Sequence, residues 1–266
     1  MAKSVDVPTE LREFNKVFEC VSGYKWDCGV VFEDLLDFMI ACLSVGGDKE
    51  LAERLQKKYE KDYHFFSEMM SALMKAYDKG LMRREWYDGL GEYYETISSS
   101  SKASRLGQFF TPPALVDLMS KLLSDGQEII GKTINDCCSG SGRLLIAHHV
   151  HHAGNRYYGG DIDGICAKMT AFNMCIHGAR GQAICGDGLF LHQRWRFGFE
   201  INRHLVFGLP SIERINQDRC YQSSIFKKCL TQLKVEKVVD LELMKEEEIK
   251  HKLAQRMAKT GQIGLF

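Results

Sequence analysis

A glycine-containing stretch followed by spaced acidic residues has the pattern of a nucleoside-binding site. Gly140 and Gly142 close the run that starts at Asp136, between an apolar strand candidate and a helix. Because they lack side chains, they let a ligand approach the backbone and the helix N-terminus. Asp161 and Asp163 follow 19 and 21 residues after Gly142, where a carboxylate can accept hydrogen bonds from both hydroxyls of a ribose. The sequence therefore predicts a nucleoside crevice.

A third acidic position and a missing glycine narrow the choice of nucleoside. Gly186–Asp187 ends the next strand candidate, where a carboxylate suits a donor-bearing ring such as adenine. A dinucleotide site would need a third glycine in a GxGxxG pattern, but position 145 is Leu. This substitution disfavours NAD or FAD and leaves room for a cofactor without a pyrophosphate.

The elements that must position these residues alternate between strand and helix. The apolar strand candidates are Thr133–Cys138, Tyr157–Asp161, Gln182–Cys185 and His204–Phe207. Their starts lie about 24 residues apart, with helix-sized segments between them. We therefore predict a parallel, doubly wound (Rossmann-like) α/β sheet over residues 101–219. Thr111–Pro112–Pro113 is expected to open the helix that precedes it, with an apolar face formed by Leu115, Val116, Leu118, Met119, Leu122 and Leu123.

The flanking regions are predicted to be helical. In residues 1–100, the apolar runs Val30–Leu43 and Phe65–Tyr77 have helical spacing, and Ser98–Ser101 resembles a linker. In the tail, residues 220–266, Leu241–Lys259 is predicted to be an exposed helix and Val235–Leu243 a weak strand candidate.

Composition limits the possible partners and indicates the compartment. Lys plus Arg equals Asp plus Glu at 35 each, so the chain lacks the basic surplus that is typical of free-standing DNA-binding domains, and any contact with DNA must be local or shared with a partner. The ten cysteines are scattered without a CxxC pair, the first residues do not resemble a signal peptide, so we expect none, and no apolar run reaches 18 residues. We expect reduced thiols, no membrane span and a cytoplasmic location.

Four ordered motifs resemble those of the modification subunits of type I restriction systems and related adenine-N6 DNA methyltransferases. Leu106–Pro112 is similar to the family's GQFFTP signature, Asp136–Gly142 to DPxCGSG, Tyr158–Asp163 to YGxDID, and Gly186–Asp187 to its GD turn. Cys137 replaces the Pro of the second motif and Ser139 its Cys. Upstream, Gly91–Glu95 resembles the GxxYE that closes the family's helical N-terminal domain.

The resemblance implies a site for S-adenosylmethionine and methyl transfer to adenine N6 in DNA. In the family, the Phe-Thr-Pro segment contacts the methionine end of the cofactor, the first acid of YGxDID holds the ribose, and the GD turn reads the adenine. The implied cofactor-binding residues are Phe110, Thr111, Pro112, Asp136, Gly140, Gly142, Asp161, Ile162 and Asp187. DNA is the implied partner, with a second subunit supplying specificity.

The target-base motif departs from the family pattern. The family's fourth strand ends in Asn-Pro-Pro followed by Tyr or Phe, which holds the flipped adenine. Alignment places Gly208 at the Asn, Leu209 at the first Pro and Ser211 at the aromatic residue, so that only Pro210 matches. Only 56 residues follow Pro210, whereas three more strand–helix units need about 72. We therefore expect an incomplete version of the family's seven-stranded sheet and an isolated chain with little or no activity.

Two functions remain open from the sequence. One is an adenine-N6 methyltransferase whose site is completed by later residues or by a partner. The other is a non-catalytic adaptor that keeps the cofactor pocket.

The last five residues resemble the QLxLF peptide that docks onto the bacterial sliding clamp, with Gln262, Leu265 and Phe266 as anchors.

Three further groups have ordinary structural explanations. His148 and His152 have metal-ligand spacing, but a solvated helix end is the preferred interpretation. Cys137 and Cys138 are predicted to be buried strand residues rather than a reactive pair. The cluster of Arg194, Arg196 and Arg203 near Trp195 fits a loop face better than a phosphate site.

Overall fold

The computed structural model describes residues 7–23, 25–98, 110–123, 130–188 and 194–222. The chain divides into two compact units, Met1–Ser224 and Ile225–Phe266, and every described residue lies in the first. The predictions for Val235–Leu243, for Leu241–Lys259 and for the last five residues therefore lie outside the described residues, as does most of the serine run at 98–101.

Five helices build the N-terminal region. They are α1 (Arg12–Val21), α2 (Cys28–Cys42), α3 (Lys49–Tyr59), α4 (Phe65–Leu81) and α5 (Gly89–Ser98). Asp27 and Asp48 begin α2 and α3 by accepting hydrogen bonds from backbone N–H groups of the first turn. The predicted helices over Val30–Leu43 and Phe65–Tyr77 are confirmed, and their apolar faces pack in one core.

A region with a mixed five-stranded sheet and three helices follows. In chain order it contains α6 (Pro113–Leu123), β1 (Thr133–Asp136), α7 (Arg143–His151), β2 (Arg156–Asp161), α8 (Gly164–Ile176), β3 (Arg180–Gly186), β4 (Trp195–Ile201) and β5 (Ile212–Ile215). Strands β1, β2 and β3 are parallel, as the strand–helix rhythm predicts, and α6 begins at Pro113 as expected. The strand order is β1-β2-β3-β4-β5, with β4 antiparallel to β3 and β5 antiparallel to β4.

The predicted strand over His204–Phe207 is wrong, and so is the expectation of a parallel sheet throughout. Leu205–Phe207 form a 3₁₀ turn, and Phe207 is 85% exposed. The chain turns after β4 because buried Asn202, with a φ of 58°, donates its side-chain amide to the carbonyl oxygens of Cys175 and Ala179. Within the described residues the strand order also shows no reversal, which a doubly wound sheet requires.

The N-terminal helices and the α/β region share one hydrophobic core through α8. Met169 and Phe172 of α8 pack in the same cluster as the apolar residues of α2, α4 and α5. Lys168, nearly buried, places its Nζ 2.9 Å from carboxylate oxygens of both Glu33 and Asp37 on α2. The helical region therefore acts as a fixed support for the strand ends that α8 joins.

Helix α6 differs from its expected packing. Of its residues only Val116 and Ser120 are buried, whereas Leu115, Leu118, Met119, Leu122 and Leu123 are exposed.

None of the described helices is long and apolar enough to span a membrane.

Candidate functional site

The loop from Asp136 to Gly142 is shaped by its glycines and by backbone contacts to β2. Gly140 and Gly142 have φ values of 56° and 88°, a region that favours glycine. The Ser139 N–H donates to the Gly160 carbonyl at 2.9 Å, which ties the loop to the neighbouring strand. A Cβ on Gly142 would lie 3.2 Å from the Thr170 Cα, so this glycine also allows α8 to approach closely.

Asp161 meets this loop, as the spacing predicts. Its Oδ2 accepts from the Gly140 N–H at 3.0 Å, and its Oδ1 accepts from the Asp163 N–H at 2.9 Å. Burial raises the pKa of Asp161 despite these hydrogen bonds, and burial likewise raises the pKa of Asp136. Next to the Asp161 carboxylate, the side chain of Ile162 is 65% exposed at the end of β2. Together they form an acidic group beside an apolar surface.

The segment Phe110–Thr111–Pro112 lies on the other side of the same loop. A Cβ on Gly140 would lie 2.9 Å from the Phe110 ring, so the ring and the glycine are in direct contact. The Thr111 carbonyl accepts from Arg143 Nη1 at 3.3 Å, and Thr111 and Pro112 are exposed. Gly140 is thus in contact with both Phe110 and Asp161, which lie 51 residues apart in the sequence.

The third acidic position lies at the same edge of the sheet. Asp187 follows β3 by one residue, and its Oδ2 is 3.0 Å from Arg194 Nη1. Near the start of β4, Arg196 donates to the Ile162 carbonyl at 3.1 Å. Two of the three arginines predicted to lie on a loop face, Arg194 and Arg196, therefore contact predicted site residues, and for Arg196 the loop prediction is wrong because it lies in β4.

A buried ionic network lies beneath the loop and was not predicted from the sequence. Arg143 Nε donates to Asp88 Oδ2 at 2.5 Å, and Ser141 Oγ donates to the same oxygen. The other oxygen, Oδ1, accepts from the Gly91 N–H and from Asn173 Nδ2, both at 2.8 Å. The only signal in the sequence is that Arg143 directly follows the glycine turn, inside an otherwise apolar helix start.

The residues aligned with the target-base motif do not join this site. Strand β4 is antiparallel, so Trp195 pairs with Gly186 at the site edge and Ile201 pairs with Gly181 at the opposite edge. The turn that contains Gly208 and Pro210 follows Ile201 and is exposed, whereas Ser211 is buried and donates its N–H to Asn202. The alignment of Gly208, Pro210 and Ser211 with the family motif is therefore not supported by the sheet.

Two of the structural explanations predicted from the sequence are wrong. Cys137 and Cys138 follow β1 and are exposed, not buried in a strand. His148 is only 2% exposed, with Nδ1 3.2 Å from the Tyr157 hydroxyl, so the end of α7 is not a fully solvated one. Burial, with His152, His149 and His151 nearby, lowers the pKa of His148 to about 4.

Comparison with known proteins identifies a family for the segment that carries the site. Residues 85–198 match the model of the N-6 DNA Methylase family, which confirms the predicted resemblance over that segment. No curated protein sequence matches the chain. Among solved structures, the type I restriction-modification system methyltransferase subunit from Streptococcus thermophilus matches at 21% identity with a TM-score of 0.30. That match covers 65% of this chain and 38% of the subunit, so the chain spans well under half of the subunit's length.

Proposed function

We propose that this chain, whose residues 85–198 match the N-6 DNA Methylase family, binds S-adenosylmethionine and serves methylation of adenine N6 in DNA. The observation that carries the proposal is the meeting of Phe110, Gly140 and Asp161 at the carboxyl ends of β1 and β2. In open α/β sheets, ligands bind in the crevice outside those strand ends.

The residues at this edge fit the chemistry of the cofactor. The Asp161 carboxylate has acceptor capacity for ribose hydroxyls beyond the backbone N–H groups that it already binds. Ile162 offers exposed apolar surface to the adenine ring, and Asp187 follows the neighbouring strand as an acceptor for the ring's amino group. Gly140 leaves the loop backbone open between Asp161 and Phe110, where a larger residue would collide with the Phe110 ring.

The same edge disfavours a dinucleotide. Leu145 occupies the position of the third glycine and is buried in the core beneath the sheet, so α7 does not approach a pyrophosphate there. When bound, S-adenosylmethionine supplies an activated methyl group on its sulfonium. The chain's own residues bind the nucleoside, orient the methionine end beside Phe110 and Thr111, and exclude water on the Phe110 side.

Calorimetry with the full chain tests cofactor binding. We expect wild type to bind S-adenosylmethionine, and Asp161→Ala to bind it tenfold or more weakly, about 1.5–3 kcal/mol, because two ribose hydroxyls lose a charged acceptor. Asp78→Ala, which removes an exposed carboxylate from α4, is the control and should bind like wild type. Absence of binding by wild type at millimolar cofactor would overturn the proposal.

The second candidate function is a non-catalytic adaptor that keeps the cofactor pocket. It is favoured by the sequence, which contains no Asn-, Asp- or Ser-Pro-Pro followed by Tyr or Phe that could hold a target adenine. For the enzyme function, groups that hold the target adenine must come from residues outside the described ranges or from a partner subunit on DNA. Docking to a sliding clamp through Gln262, Leu265 and Phe266 stays a prediction on residues outside those ranges.

A further inference from the structure

Helix α5 and helix α7 are joined by a two-pronged ion pair at the edge of the proposed cofactor site. Arg143 Nη2 lies 2.8 Å from Glu95 Oε2, and Nη1 lies 3.5 Å from Glu95 Oε1. A guanidinium matches a carboxylate in this fork geometry, and such charge-assisted pairs are stronger than neutral hydrogen bonds. The Arg143 side chain is 6% exposed and that of Glu95 is 37% exposed.

Each partner of this pair also holds the backbone of the Phe110–Thr111 segment. Glu95 Oε1 accepts from the Phe110 N–H at 3.2 Å. Arg143 Nη1 donates to the Thr111 carbonyl at 3.3 Å. The Phe110 ring lies 5.1 Å from the guanidinium carbon, a cation–π contact, while its edge touches Gly140. The ion pair therefore fixes the segment from two sides against the glycine loop.

Arg143 is itself held in place by a buried carboxylate. Its Nε donates to Asp88, which is buried and also bound by Ser141, Gly91 and Asn173. With Nε fixed on Asp88, the planar guanidinium turns its two Nη atoms toward Glu95 and Thr111.

We propose that Glu95 and Arg143 are positioning residues for the cofactor, holding Phe110 and Thr111 against the Gly140 loop before the cofactor binds. This inference rests on the proposed function and extends it to two residues that do not line the nucleoside crevice. Pre-ordering the segment lowers the entropy that the cofactor must overcome on binding. Loss of the pair should therefore weaken cofactor binding while the fold is retained.

The decisive variant is Glu95→Gln, because glutamine keeps the shape and one carbonyl oxygen but loses the charge. Glu92→Gln is a matched control on the same helix: Glu92 also pairs with an arginine, Arg84, at 2.6 Å, away from the Phe110 segment. Both variants receive the same chemical change and lose one ion pair, so a general effect on α5 should appear in both.

Two measurements are made on the full chain. Without cofactor, hydrogen–deuterium exchange of the proteolytic peptide that contains the Phe110 amide should become faster in Glu95→Gln and stay unchanged in Glu92→Gln. Calorimetric affinity for S-adenosylmethionine should fall about tenfold in Glu95→Gln, as expected for a lost charge-assisted pair, and remain at the wild-type value in Glu92→Gln.

The outcomes separate the two proposals. If wild type binds the cofactor but Glu95→Gln binds equally well, or if both variants lose affinity equally, the positioning role is overturned and the cofactor site stands. If the exchange rate at Phe110 is the same in Glu95→Gln and wild type, the positioning role is also overturned. If wild type does not bind the cofactor at all, both proposals fail.

Discussion

At the scale of single residues, Gly140 connects the two halves of the proposed site. Its left-handed backbone lets its N–H donate to Asp161, and its missing side chain makes room for the Phe110 ring. Either property alone favours glycine, and here one position needs both. Substitution of this residue should therefore affect the cofactor more than the fold.

We expect Gly140→Ala to weaken binding of S-adenosylmethionine about tenfold or more, because its Cβ would push Phe110 away and strain the backbone. Gly46→Ala is the matched control. Gly46 also has a left-handed φ, 87°, but no atom lies within 4 Å of the position that an alanine methyl group would take there. Both changes carry the cost of backbone strain, and only the first moves Phe110. Equal calorimetric affinities for the two variants would contradict this account.

At the scale of elements, α7 carries the proposed positioning residue Arg143 at one end and titratable histidines at the other. Arg143 begins the helix beneath the glycine loop, and His148 lies buried in its last turns against Tyr157 of β2. Burial lowers the pKa values of His148, His149 and His177, so the packed state holds these rings in their neutral form. Acid should therefore loosen this end of α7.

The direction of this pH dependence of stability follows from proton binding in the folded and unfolded states. In the unfolded chain the pKa of His148 is near 6.5, and in the folded chain it is about 4, so between these values the unfolded state binds more protons. The stability is fully present above about pH 6.5 and is lost as the pH falls toward 4. Between pH 6.5 and 5 the free energy of unfolding should fall by about 1.5 kcal/mol from this residue.

Urea unfolding as a function of pH measures this effect. His148→Gln keeps a polar group near Tyr157 but does not titrate, so its stability should depend less steeply on pH than that of wild type. His64→Gln makes the same chemical change at an exposed histidine at the start of α4, beside Glu68, and is the control for the substitution itself. A His148→Gln chain with the wild-type slope would show that this ring does not couple to folding.

At the scale of the whole molecule, the sheet separates the residues of the proposed cofactor site from the sequence aligned with the target-base motif. Asp161 and Gly140 lie at the carboxyl edge of the parallel strands, and the turn with Gly208 follows β4 at the opposite edge. No Asn-, Asp- or Ser-Pro-Pro followed by Tyr or Phe occurs in the sequence. Cofactor binding and methyl transfer should thus be separable.

We expect the purified chain alone to transfer no label from S-adenosylmethionine to adenine-containing DNA. The triple variant Gly208→Asn, Leu209→Pro, Ser211→Tyr should not restore transfer, because these residues lie on the wrong edge and Ser211 has no room for a ring. A known adenine methyltransferase serves as positive control. Robust methylation by the wild-type chain would favour the enzyme over the adaptor and show that other residues hold the target base.

The sequence by itself determined the elements whose signals are local. Strand–helix alternation predicted β1 to β3 with their helices, and glycine and aspartate spacing predicted the meeting of Gly140 with Asp161, because carboxyl ends of adjacent parallel strands share one edge. Tertiary structure alone decided both the place and the direction of the fourth strand, because the sequence predicted it over His204–Phe207 whereas Trp195–Ile201 forms the antiparallel β4. An apolar run such as His204–Phe207 looks the same in a strand and in an exposed turn, and buried Asn202 selects the turn through contacts with α8 and the residues that follow it. The Glu95–Arg143 pair also depends on tertiary structure, because its partners lie 48 residues apart and meet only in the folded chain, where α5 packs against α8.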